Sequence, residues 1–363
     1  MVNFKPSEDQ ELICSTMQGF ARDILRPQAR EADEKDGVPQ SIVDRGWEMG
    51  LVQSTIPEAQ GGAGEQRSAV TGVLLLEELA YGDLALALHL LTPRLFTIPV
   101  LVAGTDVQRE RWLPKFAGDK FTPATSALVE PRWDFDATAL ETRAERAGND
   151  YVLTGKKCLV PLASQAEAFL VYANAPDGLA AFIVERGATG LAVGERERNM
   201  GIKALDTFGL ALDGVRVAAG DRLGGEGADL MPLIDAGRVA SAALAVGVAR
   251  AAFDYARDYA KDRRAFGAAI AQKQAIAFKL ADMAIEVDAM RLLAWEAAWR
   301  IDKDMPATRE SVLARQYASD SALKITDNAV QVLGGHGYIR DHMVELWLRD
   351  ARGFATFDGL AIV

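Results

Sequence analysis

Cysteine and histidine, which often catalyse reactions or bind metals, are few in this sequence: it has two cysteines and three histidines, and they are not clustered. Cys14 and Cys158 lie far apart and fit neither a disulfide framework nor a zinc-binding spacing. The three histidines have no neighbouring cysteine that could complete a metal site. We therefore expect no dedicated metal site. Any chemistry would then depend on carboxylates, arginines and glycine turns.

Three positions could do chemistry, although each also has a plain structural interpretation. The guanidinium of Arg263, just after a helical segment, could pair with phosphate oxygens, or it could be a solvated charge at a helix end. Gly334-Gly335 could let backbone N–H groups approach a ligand, but a glycine pair is also typical of a helix C-cap. Asp358 could act as a base, or it could be a turn residue before Gly359.

The elements that must position these residues fall into three zones. From Ser7, a plausible N-cap, to about residue 120 the pattern is helical, with a glycine-rich break at 61–64 before a buried helix at 68–81. Between about 121 and 227, short β-type runs follow one another without intervening helices. This pattern predicts an antiparallel barrel or sandwich.

Helices return after Gly227. The segment 239–260 is rich in alanine and glycine, so its backbone should approach neighbouring helices closely, and a further helix at 311–333 should end at Gly334-Gly335. One apolar stripe has the spacing of a long helix and consists of Ile276, Leu280, Met283, Val287, Met290 and Ala294. His89, Trp295 and Trp299 are predicted to be packing residues, and His336 a surface or turn residue.

The composition is that of an ordinary soluble protein. Hydrophobic residues make up 49% and charged residues 25% of 363 residues, which is enough chain for two or three packed units. The net charge of −11 argues against nonspecific nucleic-acid binding, although a few local arginines could still bind a ligand phosphate. The most apolar stretch, 84–102, is interrupted by His89, Arg94 and two prolines, which favours a buried helix over a membrane span. No secretory signal is visible, and we expect a cytoplasmic protein.

Five sequence motifs point to one enzyme family. They are GLVQSTIPEAQGGAG (50–64), EELAYG (77–82), DRRAFG (262–267), QKQAIAFKLADMA (272–284) and QVLGGHGYIRD followed by LRDAR (331–352). Because these motifs occur in family order and the match runs from Phe4 to Val363, the chain resembles the acyl-CoA dehydrogenase family. The resemblance implies an α+β multidomain fold, with an N-terminal α-helical domain at 1–120, a middle antiparallel β-barrel domain at 121–227 and a C-terminal four-helix bundle at 228–363.

The resemblance also implies a function. In that family FAD oxidises the Cα–Cβ bond of an acyl-CoA thioester, and electron-transferring flavoprotein reoxidises the flavin. Homologous subunits form a tetramer in which FAD lies across a subunit boundary. The family positions that hold the adenosine diphosphate end of FAD for a neighbouring subunit correspond here to Arg263, Gln274, Gln331, Gly334 and Gly335. Asp235 and Arg238 correspond to positions near the CoA moiety of the substrate.

The positions that face the flavin ring depart from the family pattern. Relatives usually have TEPGAGSD where this chain has residues 129–136, so that the hydrogen-bonding Thr is Val129 and the glycine turn gains bulk at Arg132, Trp133 and Phe135. The usual WIT is Leu159-Val160-Pro161, and the usual EGTxQ is 358–362, DGLAI. We expect this chain's own ring pocket to be poor, and we interpret Glu130 as a structural residue.

The catalytic base of most members aligns with Asp358, which is shorter than the usual Glu by one methylene, roughly 1.5 Å. In some branches a helix position supplies the base instead, but here it is Gly237. Nitroalkane oxidases resemble this family and use Asp at the base position. Three hypotheses remain open. The first is a subunit of a heteromeric (α2β2) acyl-CoA dehydrogenase, as known among family members acting on steroid side chains, with a role in fatty-acid or steroid side-chain degradation. The second is a self-sufficient FAD dehydrogenase or oxidase that uses Asp358, and the third is a non-catalytic scaffold.

Overall fold

The computed structural model describes residues 5–363, which form a helical N-terminal part, a β-rich middle part and a helical C-terminal part. Residues 1–4, with which the predicted first domain begins, lie outside the described residues. The N-terminal α-helices are α1 (Glu8–Phe20), α2 (Arg26–Lys35), α3 (Gln40–Glu48), α4 (Ala69–Gly82), α5 (Leu84–Leu91), α6 (Arg94–Ala103) and α7 (Asp106–Trp112). A π-helical turn, Ala21–Leu25, joins α1 to α2.

Two predicted helix starts in the N-terminal part are confirmed. The Ser7 hydroxyl accepts a hydrogen bond from the backbone N–H of Gln10 at 3.2 Å, and so caps α1. The Ser68 hydroxyl accepts one from the backbone N–H of Thr71 at 3.1 Å, and so caps α4. The glycine-rich segment 61–64 lies between α3 and α4, as predicted.

The apolar stretch 84–102 is buried as predicted up to Val100, but it is two helices and not one. Helices α5 and α6 meet at an angle of 47° across Thr92 and Pro93. Pro93 has no backbone N–H and cannot continue the hydrogen-bond ladder of α5. His89, on α5, is buried and stacks on Phe121 with ring centroids 5.8 Å apart, which confirms its packing role.

The middle part is one sheet. Its strands are β1 (Ala124–Ala127), β2 (Arg143–Ala147), β3 (Asp150–Pro161), β4 (Ala168–Ala175), β5 (Gly178–Glu185), β6 (Leu191–Arg196) and β7 (Thr207–Ala218). The order is β1-β4-β2-β3-β7-β6, and β5 also pairs with β4. The β2–β3, β3–β7, β4–β5 and β6–β7 pairs are antiparallel as predicted, whereas the β1–β4 and β2–β4 pairs are parallel. These parallel pairs are joined by crossovers, since the chain passes through other strands before it reaches β4.

The C-terminal part contains α8 (Met231–Asp262), α9 (Gln274–Asp302), α10 (Thr308–Leu333) and α11 (Val344–Ala351), with a short hairpin of β8 (Arg264–Ala265) and β9 (Ala268–Ala269). The fourth helix of the predicted bundle, α11, has only 8 residues. The predicted stripe on α9 is confirmed, because Met283, Val287, Met290 and Ala294 are buried. Trp295 packs against the core, but Trp299 is 48% exposed and is not a packing residue within the chain.

Helix α8 is the central helix of the molecule. A Cβ atom added at Gly247 would lie 2.4 Å from the carbonyl oxygen of Glu77, so glycine permits the close approach of α8 to α4. The buried Glu77 carboxylate accepts hydrogen bonds from Arg250 of α8 at 2.7 Å and from Arg291 of α9 at 2.9 Å. Helix α8 is apolar enough to cross a bilayer, but 78% of its most apolar window is buried inside the protein, as in a core helix.

Asp350 joins α11 to the loop after β6. It is buried, and its Oδ1 accepts a hydrogen bond from the backbone N–H of Ile202 at 2.6 Å, while its Oδ2 has no partner among the described residues. Burial, and then the nearby Asp83 carboxylate, raise the pKa of Asp350 to about 8. A folded-state pKa above the unfolded value means that stability falls as pH rises through that interval.

We predict that Asp350→Asn removes this fall in folding stability with rising pH. The free energy of unfolding of the variant should exceed that of the wild type by an amount that grows as pH rises from about 4 to about 8 and then levels off, since the folded wild type holds a proton that the unfolded chain releases. Urea unfolding at several pH values measures the difference. Asp341→Asn, at an exposed position, is the control and should be neutral throughout. A constant difference for Asp350→Asn would contradict the account.

Candidate active site

One cavity brings together three of the residues that the sequence assigns to a dinucleotide. Arg263, Gly334 and Gly335 line a cavity of about 480 Å³, together with Tyr259 and His336. The backbone of Arg263 is fixed at the end of α8, since its N–H donates to the carbonyl of Tyr259 at 2.8 Å. Its own carbonyl accepts a hydrogen bond from the N–H of Ile270 at 2.8 Å across the β8–β9 hairpin. We call this space the clasp cavity.

The glycine turn serves two roles that the sequence left as alternatives. Gly334 ends α10 with φ 59° and ψ −131°, a conformation that favours glycine. A Cβ atom at Gly334 or Gly335 would meet no atom within 4 Å, so both residues face open space at the cavity. The C-cap and an accessible backbone for a ligand are therefore compatible.

The two glutamines predicted for the same role lie elsewhere on the surface. Gln331 is exposed in the last turn of α10, and Gln274 is exposed at the start of α9. Among the described residues that line the clasp cavity, neither glutamine is present. Their contact with a cofactor stays a prediction.

Asp358 lies at the other end of α8, beside a much smaller space. It lines a cavity of about 20 Å³ together with Arg238, Leu95 and Leu128, among others. Its Oδ2 accepts a hydrogen bond from the guanidinium of Arg315 on α10 at 2.8 Å. Burial raises the pKa of Asp358 above its ordinary value, although Arg315 and Arg238 act in the opposite direction.

The two residues predicted near the CoA moiety have different surroundings. Asp235 is buried, and its carboxylate accepts hydrogen bonds from Thr308 at 2.6 Å, from Ser311 at 2.9 Å and from Arg238 at 3.1 Å. These contacts tie α8 to the start of α10 and are those of a structural residue. Arg238 lines the small cavity beside Asp358 and stays a candidate for substrate binding.

The space beside Asp358 is small. A cavity of about 20 Å³ holds little more than a single water molecule. The backbone N–H of Leu159 donates to the Glu197 carboxylate at 3.1 Å, so that it is not free for a flavin oxygen, and Pro161 has no N–H to offer. Val129 is buried and offers no side-chain hydrogen bond.

The predicted bulk of the 129–136 turn does not fill that cavity. Trp133 is 97% exposed and extends into solvent, away from the protein interior. Arg132 folds back on its own turn and donates to the carbonyl of Ala139 at 2.5 Å. The small size of the cavity therefore comes from the apolar residues that line it, among them Leu128 and Ile362.

Glu130 is structural, as predicted, and its main partner, Lys157, escaped the sequence analysis. The buried Glu130 carboxylate accepts hydrogen bonds from Lys157 Nζ at 3.0 Å and from the backbone N–H groups of Glu141 and Thr142. Lys157 is fully buried, and burial lowers its pKa to about 8 although Glu130 opposes the shift. Period-two alternation along β3 places Lys157 on the inward face with Leu153, which is the signal that could have identified it.

The two cavities are far apart because one straight element separates them. Arg238 lies near the start of α8 and Arg263 follows its end, and the 25 residues from 238 to 262 span about 36 Å. The clasp cavity and the space beside Asp358 therefore lie at opposite ends of α8.

We predict that Lys157→Met destabilises the protein by about 3 kcal/mol, because the Glu130 carboxylate is then buried without its counter-charge. The double variant with Glu130→Gln should recover part of this loss, since the buried charge is gone. Denaturant unfolding of both variants measures the two effects. A double variant less stable than Lys157→Met alone would contradict this role of the pair.

Comparison with known proteins agrees with the fold. The chain matches the models of the acyl-CoA dehydrogenase N-terminal domain at residues 7–120, middle domain at 125–215 and C-terminal domain at 225–361. It is 36% identical to cyclohex-1-ene-1-carbonyl-CoA dehydrogenase of Geobacter metallireducens, over 97% of this chain and 95% of that protein. It is 35% identical to the mitochondrial short-chain specific acyl-CoA dehydrogenase of Bos taurus, over 97% and 87%.

A solved structure extends this likeness to three dimensions. The butyryl-CoA dehydrogenase of Megasphaera elsdenii superposes with a TM-score of 0.88 at 31% sequence identity, over 99% of this chain and 96% of that one. The helical, β-rich and helical parts thus have the order and shape of a known fold. From these matches along its whole length, the chain belongs to the acyl-CoA dehydrogenase family of FAD-dependent oxidoreductases.

Proposed function

We propose that this chain is the site-completing subunit of a heteromeric (α2β2) acyl-CoA dehydrogenase. The observation that carries the proposal is the difference between the two ends of α8. At one end, the clasp cavity of about 480 Å³ has an arginine and an accessible glycine turn. At the other end, the space beside Asp358 is about 20 Å³ and its carboxylate is paired with Arg315. The chain can lend the first half of an FAD site but lacks the second half.

In this proposal each residue of the clasp cavity acts on an FAD whose ring lies in the partner subunit. Arg263 would pair with the pyrophosphate oxygens, and the Gly334-Gly335 turn would present backbone N–H groups to them. FAD supplies the two-electron oxidation of the acyl-CoA thioester, at the partner's own catalytic residues. We include electron-transferring flavoprotein in the proposal as the electron acceptor.

An apolar stripe on α9 supports association with a homologous helical subunit. Phe278, Ile285, Leu292 and Trp299 recur every seven residues and are between 48% and 66% exposed. A repeat of seven keeps side chains on one face of a helix. On α10, Val312, Leu313 and Tyr317 are also large and exposed. Large apolar side chains in a row are typical of a surface that another helix covers.

We predict that the chain purified alone binds little flavin, and that co-expression with a homologous, complete acyl-CoA dehydrogenase subunit gives a yellow complex. This complex should carry half as many FAD molecules as polypeptide chains and oxidise fatty-acyl or steroid side-chain CoA thioesters. Flavin absorbance against protein concentration measures the stoichiometry. Arg263→Gln in this chain should weaken FAD retention by the complex, whereas the neighbouring Arg264→Gln should not.

Two outcomes would contradict the heteromeric proposal. A yellow, active homotetramer of this chain alone would favour a self-sufficient enzyme. A colourless protein that neither binds FAD nor stimulates a partner would favour a non-catalytic scaffold.

A second candidate function is a self-sufficient FAD dehydrogenase or oxidase with Asp358 as its base. Asp358 and Arg238 line one cavity, and the raised pKa of Asp358 is in the direction that suits a general base. If so, Asp358→Asn should slow reduction of the flavin by substrate about a hundredfold or more and leave FAD bound. Anaerobic bleaching of the flavin measures the rate, with the exposed Asp134→Asn as control. Retained bleaching in Asp358→Asn would remove Asp358 as the base.

A further inference from the structure

His336 lies at the clasp cavity and is oriented there by a hydrogen bond to Tyr259. It belongs to the short 3-10 turn Gly334–Gly337, directly after the two glycines that line the cavity. Its Nδ1 is hydrogen-bonded to the hydroxyl of Tyr259, on α8, at 2.9 Å. In the described part of the chain its Nε2 has no protein hydrogen-bond partner. The ring is therefore oriented by Tyr259, with one nitrogen left for a ligand.

The orientation of the ring determines what Nε2 can do. When the hydroxyl of Tyr259 donates to Nδ1, the neutral imidazole carries its hydrogen on Nε2. When the ring is protonated, both nitrogens carry hydrogen and the side chain is a cation. In both of these states Nε2 is a hydrogen-bond donor, and an anion in the cavity favours them over the tautomer in which Nδ1 donates to Tyr259. His336 lines the same cavity as Arg263. Two donors around one cavity suit an anion.

The charged groups around His336 come from three elements. Arg263, after α8, lines the clasp cavity itself. Asp258 and Asp262, on α8, line the adjoining cavity on the other side of Tyr259. His342, in the loop before α11, has its ring centroid 5.6 Å from that of His336.

His342 makes the same kind of contact as His336 but in another place. Its Nδ1 is hydrogen-bonded to the hydroxyl of Tyr255, one turn earlier on α8, at 2.7 Å. Among the described residues that line the clasp cavity, His342 is not present. The chain thus contains a matched pair of histidines, of which one borders the cavity and the other does not.

We propose that His336 is an additional phosphate-binding residue of the clasp cavity, which donates its Nε2 hydrogen to the pyrophosphate of an adenosine diphosphate-type ligand. This inference rests on the proposed function, because it concerns the same cavity. Histidine is the side chain whose charge ordinarily changes between about pH 5 and about pH 8. A bound pyrophosphate favours the cationic ring, so binding tightens as pH falls.

The test is calorimetric titration of the full chain with ADP-ribose, whose pyrophosphate does not itself titrate in this range. For the wild type we expect binding that tightens between about pH 8 and about pH 5.5. His336→Ala should weaken binding about tenfold at the lower pH and flatten the pH profile. His342→Ala also loses a tyrosine contact, and it should keep both the affinity and the profile of the wild type.

The outcomes separate this inference from the proposed function. Arg263→Gln should weaken ADP-ribose binding at every pH. If it does not, or if the wild type does not bind ADP-ribose, the proposal that the clasp cavity holds the adenosine diphosphate end of FAD is wrong. If Arg263→Gln weakens binding but His336→Ala retains the wild-type affinity and pH profile, only the role of His336 is overturned. Equal losses in His336→Ala and His342→Ala would assign the effect to the tyrosine contacts and would also overturn it.

Discussion

The rigidity of α8 is the constraint on which the rest of the structure depends. Its 32 residues run without interruption, and Gly247 allows α4 to approach it so closely that a single Cβ would collide with the backbone. The Glu77 carboxylate ties α4 to α8 and α9 from within the core. A helix held in this way cannot bend to bring its two ends together. Arg263 and Arg238 are thus held at opposite ends of one continuous helix.

Two polar groups at the Asp358 end of the molecule have partners within the chain. The N–H of Leu159 has the Glu197 carboxylate as its acceptor, and the Asp358 carboxylate has Arg315. Buried polar groups without partners would cost about 1–3 kcal/mol each. Internal contacts thus satisfy these two groups, whereas the buried Nε atoms of Arg132 and Arg315 have no hydrogen-bond partner among the described residues. The fold at this end is consistent with stability in the absence of a flavin.

Local patterns in the sequence predicted the elements well, and long-range contacts account for most of what it could not predict. The cap at Ser7, the buried helix that begins after Ser68 and the stripe on α9 depend on residues within a few turns of each other. The parallel pairing of β1 with β4, by contrast, depends on segments about 40 residues apart. The Arg315–Asp358 pair joins residues whose proximity no periodicity indicates. Lys157 had a usable signal in strand alternation, but a charged residue is rarely expected at an inward position.

The clasp cavity, the small space beside Asp358 and the exposed stripe on α9 together constrain how the proposed α2β2 complex can assemble. Under the proposed function, two copies of this chain would each offer a clasp cavity to a neighbour whose space beside Asp358 is only about 20 Å³, so that no FAD site would be complete. If the neighbour is instead a related chain with an open ring pocket, every clasp cavity of this chain completes one site. The stripe of Phe278, Ile285, Leu292 and Trp299 is equally suited to covering by either neighbour, since it is apolar and has no charge to discriminate between them. Discrimination therefore has to come from the flavin itself, which stabilises only the assembly in which both of its ends are held.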